Sequence, residues 1–283
     1  MKKIIQDLLP PFIWRVLRKT YLSFSKKNKY IEWEYIPRGW LAETTDSNIK
    51  GWNVDSVLNT YKGNWDNFQS ALNDKLPLGI SPESSNINRI ELTNHNIMMT
   101  YAYVLALSSL NKSFISMLDW GGGIGHYYFI SKALLPELEI DYSCKDVSVL
   151  VDYGKENFPN LSFYTDESCL DRTYEFVLAS TSLHYSQDWV NTFKGLAKAT
   201  SGYLFVTRLP ILQNSKSYVM VQRPYQYGYD TEYLGWCLNK QEFLNVANSL
   251  GLVLVREFFA QSSEFIYGAP EQPQYFGFLF KSL

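Results

Sequence analysis

Apolar and polar positions alternate along most of the chain in a way that predicts strands and helices in regular succession. Short apolar runs, typical of buried parallel strands, are separated by stretches whose apolar residues recur every three to four positions, as on one face of a helix. The predicted strands are at 116–119, 140–145, 161–164, 174–179, 202–207, 252–259 and 275–280. The predicted helices are at 88–110, 126–135, 150–157, 189–199 and 239–250. This succession predicts an α/β fold with a doubly wound, seven-stranded, mostly parallel sheet and an antiparallel C-terminal hairpin.

Two stretches depart from this regular succession of strands and helices, and they indicate the domain organisation. Residues 1–85 show no long period, so we expect an N-terminal extension of short helices and loops, basic at its start, before a core at 86–283. Within the core, residues 208–238 contain Pro210 and Pro224 and are rich in tyrosine. An insertion of this length has room to form a substrate lid over the carboxyl ends of the strands, where such sheets bind ligands.

The first predicted strand runs into a turn with four glycines in five residues. It reads Asp119, Trp120, Gly121, Gly122, Gly123, Ile124, Gly125. Glycine lets a ligand approach the main chain closely, and the amides that open the next helix can face an anion. A nicotinamide site requires G-x-G-x-x-G, and His126 stands at the third glycine position of that pattern. The spacing therefore disfavours a dehydrogenase, although a purely structural turn remains an alternative.

Acidic residues follow the next two predicted strands. Asp146 closes the second strand, and Asp166 comes just after the third. A carboxylate in the position of Asp146 can accept hydrogen bonds from both hydroxyls of a ribose. Three acids in order, each after a parallel strand, indicate a nucleotide-type cofactor at one edge of the sheet.

The motifs that carry a family resemblance extend over nearly the whole chain. They are Leu9-Pro10-Pro11, Tyr61-Lys62-Gly63-Asn64-Trp65, the stretch 118–128, Ser182-Leu183-His184-Tyr185, the stretch 205–210, Gln222-Arg223-Pro224-Tyr225 and Gly277-Phe278-Leu279-Phe280. With these motifs the chain resembles class I S-adenosylmethionine (SAM) methyltransferases, which have a Rossmann-like fold. More narrowly, it is similar to a family encoded in bacterial surface-polysaccharide gene clusters, such as those for O-antigen and capsule. The methyl acceptors of that family are assigned mostly by genomic neighbourhood.

The resemblance implies a SAM cofactor and a sugar acceptor in a surface polysaccharide or its precursor. We expect O-methylation of a hydroxyl, with N-methylation as the less favoured reaction. The expected cofactor-binding residues are Asp119, Trp120, Gly121, Gly122, Gly123, Gly125, Asp146, Val147, Asp166 and Ser182. Of these, Asp166 stands where the class hydrogen-bonds the adenine amine. A catalytically silent SAM-fold protein, with an assembly role in a membrane-associated glycan-synthesis complex, is the alternative.

A hydroxyl acceptor benefits from a general base whose pKa is near neutral, which histidine provides. His184, in the loop after the fourth strand, is the first candidate and His126 is the second. The family pattern leads us to expect glutamine where this chain has His184, so a structural role for that histidine stays open. The expected acceptor-binding residues are Tyr185, Arg208, Arg223 and Tyr225. The arginines could instead be surface residues paired with acids. The sequence shows no spacing of residues typical of a metal site, so we expect no metal.

Charge and composition limit the binding partners and the cellular location that we expect for this protein. The net charge is −2, which gives no general attraction to nucleic acid. Residues 1–30 nevertheless carry eight Lys or Arg against one Asp, so this segment is either an interfacial helix on anionic lipid or a packed helix with a solvated basic edge. Three cysteines without metal spacing, and no apolar run long enough to span a membrane, predict a cytoplasmic protein, peripheral at the inner membrane face if the first interpretation holds. The sequence leaves the oligomeric state open.

Overall fold

The computed structural model describes residues 31–40, 48–83, 90–261 and 264–282. The predictions for residues 1–30, including the basic start and the motif at Leu9, lie outside the described residues. The described residues from Trp33 onward form one compact unit. Among the helices that the structure describes, none combines the length and the apolar character that a membrane span requires.

The described elements largely follow the predicted succession. The strands are β1 (Trp33–Ile36), β2 (Phe114–Trp120), β3 (Glu139–Lys145), β4 (Ser162–Tyr164), β5 (Tyr174–Ser180), β6 (Thr200–Leu212), β7 (Tyr218–Gln222), β8 (Tyr233–Asn239), β9 (Leu252–Gln261) and β10 (Gln274–Ser282). The α-helices are α1 (Asp55–Leu72), α2 (Leu92–Ser108), α3 (His126–Leu134), α4 (Ser148–Asn157), α5 (Trp189–Lys198) and α6 (Lys240–Ser249). Short 3₁₀ helices cover Glu167–Asp171, Leu183–Tyr185 and Tyr225–Tyr227.

Seven strands form the central sheet in the order β4-β3-β2-β5-β6-β10-β9. The strands from β4 to β6 are parallel, whereas β10 is antiparallel to both β6 and β9. Hydrophobic cores cover both faces of this sheet, which is why its central strands read as nearly continuous apolar runs. The predicted fold, with its C-terminal hairpin, is confirmed. From β2 the strand order proceeds through β3 and β4 on one side of the sheet, and it then continues with β5 and β6 on the other side of β2. This switch point between β2 and β5 opens a crevice at the carboxyl ends of the strands.

The sheet continues beyond the seven predicted strands. β8 pairs with the end of β6, β7 pairs with β8, and β1 pairs with β7. The segment predicted as a lid thus contributes strands that extend one side of the crevice. Whether this insertion acts as a substrate lid stays a prediction.

The expectation of only short helices before residue 86 is wrong for α1, which has 18 residues. Its buried side chains include Leu58, Tyr61, Trp65, Phe68 and Leu72, which recur every three to four positions. Asparagine and glycine, which are weak helix formers, interrupt the segment and hid this stripe from the pattern. Because α1 packs in the same core as β2 and β3, it stands beside the crevice.

Candidate active site

A cavity of about 950 Å³ lies at the carboxyl ends of β2, β3 and β5. The residues at the ends of these strands, among them Trp120, Asp146 and Ser180, line one side. Tyr61 of α1 and Tyr233 of β8 belong to the other side. Small-molecule sites typically enclose about 300–1,000 Å³. The cavity is therefore large enough for a cofactor and an acceptor together.

The glycine turn forms part of this cavity through Gly121 and Gly123. Both have left-handed backbone, with φ of +74° and +62°. A Cβ added to Gly121 would lie 2.3 Å from Cβ of Ser182, and one on Gly123 would lie 3.3 Å from the Tyr61 hydroxyl. Glycine is therefore required here both for the conformation and for the space.

The other two glycines of the expected set face the protein interior. A Cβ on Gly122 would meet the carboxylate of Asp119, and a Cβ on Gly125 would meet the ring of Phe163. They shape the turn from behind and do not line the cavity.

Asp146 connects the second strand to the glycine turn. Its carboxylate accepts hydrogen bonds from the backbone amides of Gly123 and Val147, both at 2.7 Å. Burial raises the pKa of this carboxyl, and the two amides counteract that effect. Asp146 and Val147 both line the cavity, and each carboxylate oxygen keeps a lone pair for a ligand.

Asp119 lies beneath the turn and not in the cavity. It is fully buried and accepts a hydrogen bond from the hydroxyl of Tyr142 on the neighbouring strand. Its Oδ1 has no hydrogen-bond partner among the described residues. Burial raises the pKa of the carboxyl to about 7, and the Tyr142 hydrogen bond lowers it. This placement suits support of the turn, so a direct contact of Asp119 with a cofactor is not what the geometry provides.

Asp166 also stands outside the cavity lining. Its exposed carboxylate accepts a hydrogen bond from the backbone amide of Ser168 at 3.0 Å and another from the Ser168 hydroxyl. Asp166 thereby caps the 3₁₀ helix 167–171. These hydrogen bonds lower the pKa of Asp166. The next residue, Glu167, lines the cavity. The role of Asp166 at an adenine amine stays a prediction, and Glu167 is a candidate that the sequence did not single out.

The two histidines differ in their access to the cavity. His126, the first residue of α3, lines it, whereas His184 is fully buried and is not part of the lining. Burial and the nearby charge of Arg208 lower the pKa of each to about 3. Neither Nδ1 atom has a hydrogen-bond partner among the described residues. Both rings are therefore neutral at pH 7, and only His126 can meet a ligand in this geometry.

The four expected acceptor-binding residues separate into two pairs. Tyr185 and Arg208 line the cavity. Arg223 instead donates to Glu232 at 3.1 Å and to Glu34 at 2.8 Å, and Tyr225 donates to Glu232 at 2.6 Å. The second pair thus ties β1, β7 and β8 together outside the lining, and its expected acceptor contact is not part of this geometry.

Sequence reasoning missed an aromatic wall of the cavity. The ring of Trp52 stacks on Tyr233 with centroids 4.2 Å apart, and Tyr185 packs edge-on against both. Tyr61 was also missed as a lining residue; its hydroxyl donates to Glu83 at 2.7 Å. The only signal for Tyr61 was its place in one of the motifs that carry the resemblance.

No protein-family profile matches the chain, and no curated protein does either. Solved structures similar to it include magnesium protoporphyrin IX methyltransferase from Synechocystis PCC 6803 with bound SAH (S-adenosylhomocysteine). That structure has 12% identity and a TM-score of 0.48, and the match covers 81% of this chain and 98% of the other. A SAM-dependent methyltransferase from Mesorhizobium loti has 13% identity and a TM-score of 0.45, over 65% of this chain and 99% of its own. Likeness of this degree says nothing about the acceptor of this chain.

Proposed function

We propose that this chain is a SAM-dependent methyltransferase. The observation that carries the proposal is the Asp146 carboxylate, which holds the amide of Gly123 at the switch point of the sheet. A nucleoside cofactor fits the residues present, because Gly121 and Gly123 bring the main chain of the turn to the cavity in a left-handed conformation that other residues rarely adopt, beside the carboxylate of Asp146. Gly121, Gly123, Asp146, Val147 and Ser182 would hold it. When bound, SAM supplies a methyl group that its sulfonium has already activated, so alignment with the acceptor provides much of the rate.

The acceptor in this proposal is a sugar hydroxyl of a bacterial surface polysaccharide or its precursor. The aromatic wall of Trp52, Tyr185 and Tyr233 supports a sugar, because amphipathic rings present both an apolar face and polar edges to such a ligand. The link to surface polysaccharides comes from the family resemblance of the sequence motifs.

In this proposal His126 takes precedence over His184 as the general base. Its ring lines the cavity and is neutral, and a neutral imidazole has one nitrogen that can accept the hydroxyl proton. In the ligand-free protein its pKa of about 3 makes it a weak base. An anion beside Arg208 would offset one cause of that depression and raise the pKa of His126 toward a useful range.

The proposal is tested by incubating the protein with methyl-labelled SAM and glycan fractions from surface-polysaccharide-producing bacteria. We expect label in a glycan fraction with the wild type and none with Gly123→Val. The valine side chain would strain the left-handed backbone at this position and crowd the Tyr61 hydroxyl. Binding of SAH without transfer to any fraction would favour the silent assembly role. Transfer to nucleic acid or protein alone would contradict the sugar acceptor.

A further inference from the structure

The ladder between β6 and β10 contains a bulge at the edge of the cavity. Phe276 pairs with Leu209 and Phe278 pairs with Val206, so Gly277 alone faces two residues of β6, Thr207 and Arg208. A Cβ on Gly277 would lie 2.9 Å from the Thr207 hydroxyl, so the bulge depends on glycine at that position. Bulges of this kind redirect a side chain and occur often beside functional sites.

The residue that this bulge redirects is Arg208, whose backbone is left-handed with φ of +56°. Thr181, at the end of the neighbouring β5, has the same φ, and its amide donates to the carbonyl of Thr207 at 3.0 Å. Both line the cavity. A left-handed backbone conformation is energetically costly for residues other than glycine, and such strained residues concentrate at functional sites. Two adjacent strands thus hold strained residues at the same place.

The guanidinium of Arg208 is an unused cation in the cavity wall. It forms no ion pair with any described residue, and its buried Nε lacks a hydrogen-bond acceptor there. Its charge contributes to the lowered pKa of His126 and of His184, which places it among these rings. Arg223 differs from Arg208 in this respect, because it forms ion pairs with two carboxylates, those of Glu34 and Glu232.

A second unpartnered donor lies in the same cavity. Nε1 of Trp52 is buried without a hydrogen-bond partner among the described residues. Like Arg208 Nε, it can only donate. Two carboxylates of the cavity, Asp146 and Glu83, accept hydrogen bonds from Gly123 and Tyr61 and form no ion pair with Arg208. Buried donors without partners call for a ligand rich in acceptor oxygens.

We propose that Arg208 is the anion-binding residue of the acceptor subsite, so that the methyl acceptor is a sugar carrying a phosphate or a carboxylate. A guanidinium binds either group through two parallel hydrogen bonds. Tyr185 and Trp52 form the adjoining wall against which the sugar ring packs. This inference rests on the proposed methyltransferase function and specifies its substrate class.

The test uses full-length protein saturated with SAH and three probes with the same glucose-type ring: glucose 1-phosphate, glucuronic acid and glucose. We expect at least one anionic probe to bind at least tenfold more tightly than glucose, and the preferred probe distinguishes phosphate from carboxylate. Arg208→Gln should remove this preference, and Arg208→Lys should keep part of it. Arg256→Gln, which changes an exposed arginine outside the cavity lining, should leave the preference intact.

Equal affinity of the wild type for all three probes would overturn the inference, as would an unchanged preference in Arg208→Gln. If Arg208→Gln does not fold, competition by inorganic phosphate in the wild type decides, because phosphate should displace the anionic probe and not glucose. Titration of the wild type with SAH separates the two proposals. Absence of SAH binding contradicts the methyltransferase function, whereas SAH binding without anion preference contradicts only the role of Arg208.

Discussion

The carboxylate of Asp146 accepts a hydrogen bond from the backbone amide of Gly123 at 2.7 Å. This bond joins the end of β3 to the turn that follows β2, at the point where the chain reverses across the sheet. Both residues line the same cavity. One acidic side chain thus holds the glycine turn in shape and still offers lone pairs to a ligand.

Replacing Asp146 by Asn should lower the affinity for SAH by about 10- to 100-fold, because hydrogen bonds to a charged group contribute roughly 1.5–3 kcal/mol. Isothermal titration calorimetry measures the change. Asp141→Asn is the matched control, since Asp141 lies on β3, which Asp146 directly follows, but pairs with Arg172 on the surface. Equal affinities of the two variants would mean that Asp146 has only a structural role.

Exchange of each histidine for glutamine should separate their roles. Glutamine cannot take up a proton at neutral pH, so His126→Gln should reduce kcat by roughly 10²–10⁴-fold with little change in SAH affinity. His184→Gln should leave kcat nearly unchanged, because that ring is buried outside the cavity lining. Turnover assays with labelled SAM give both values. The reverse ranking would return His184 to the position of first candidate.

Arg208→Gly should make the protein more stable while it loses its preference for anionic probes. The left-handed backbone of Arg208 costs about 1–2 kcal/mol, against about 0.5–1 kcal/mol for the chain entropy of glycine. The net gain is between about zero and 1.5 kcal/mol, and each kcal/mol raises Tm by about 2–4 °C, which calorimetry measures. Gly277→Ala, which places a Cβ against Thr207, should lower Tm. A lower Tm in Arg208→Gly would show that the arginine side chain stabilises the fold more than its backbone strains it.

The carboxyl of Asp119 should give stability a distinct pH dependence. Its pKa is about 7 in the folded protein, against an ordinary value near 4, so the folded state binds more protons between these values. The contribution of Asp119 to stability therefore falls as pH rises from about 4 to 7. The stability of Asp119→Asn relative to the wild type should increase over the same range, as measured by urea unfolding.

The histidines act with the opposite sign. Their folded pKa values of about 3 lie below the ordinary value of 6.5, so their contribution to stability rises with pH over that window. They are present in both proteins, so their effect cancels in the difference between Asp119→Asn and the wild type. A difference that stays constant from pH 4.5 to 7.5 would contradict the raised pKa of Asp119.

The sequence predicted the central sheet because its signals are local. A buried parallel strand shows as an apolar run, and the acid at its end follows at once, as Asp146 follows β3. The features it missed depend on partners far away in the chain. The bulge at Arg208 exists because β10 places Gly277 opposite it, and Arg223 is bound by Glu34 from β1. His184 has a motif position that suggests a cavity, but its packing beside Gly235 of β8 buries it.

Both proposals depend on SAM binding in the cavity at the glycine turn. A calorimetric titration of the wild-type protein with SAH tests this binding, with NAD as the comparison and Gly123→Val as the blocked variant. We predict saturable SAH binding in the micromolar range, no NAD binding, and loss of SAH binding in the variant. Absence of SAH binding to the folded wild type, or NAD binding as tight as that of SAH, would contradict a SAM site at this turn.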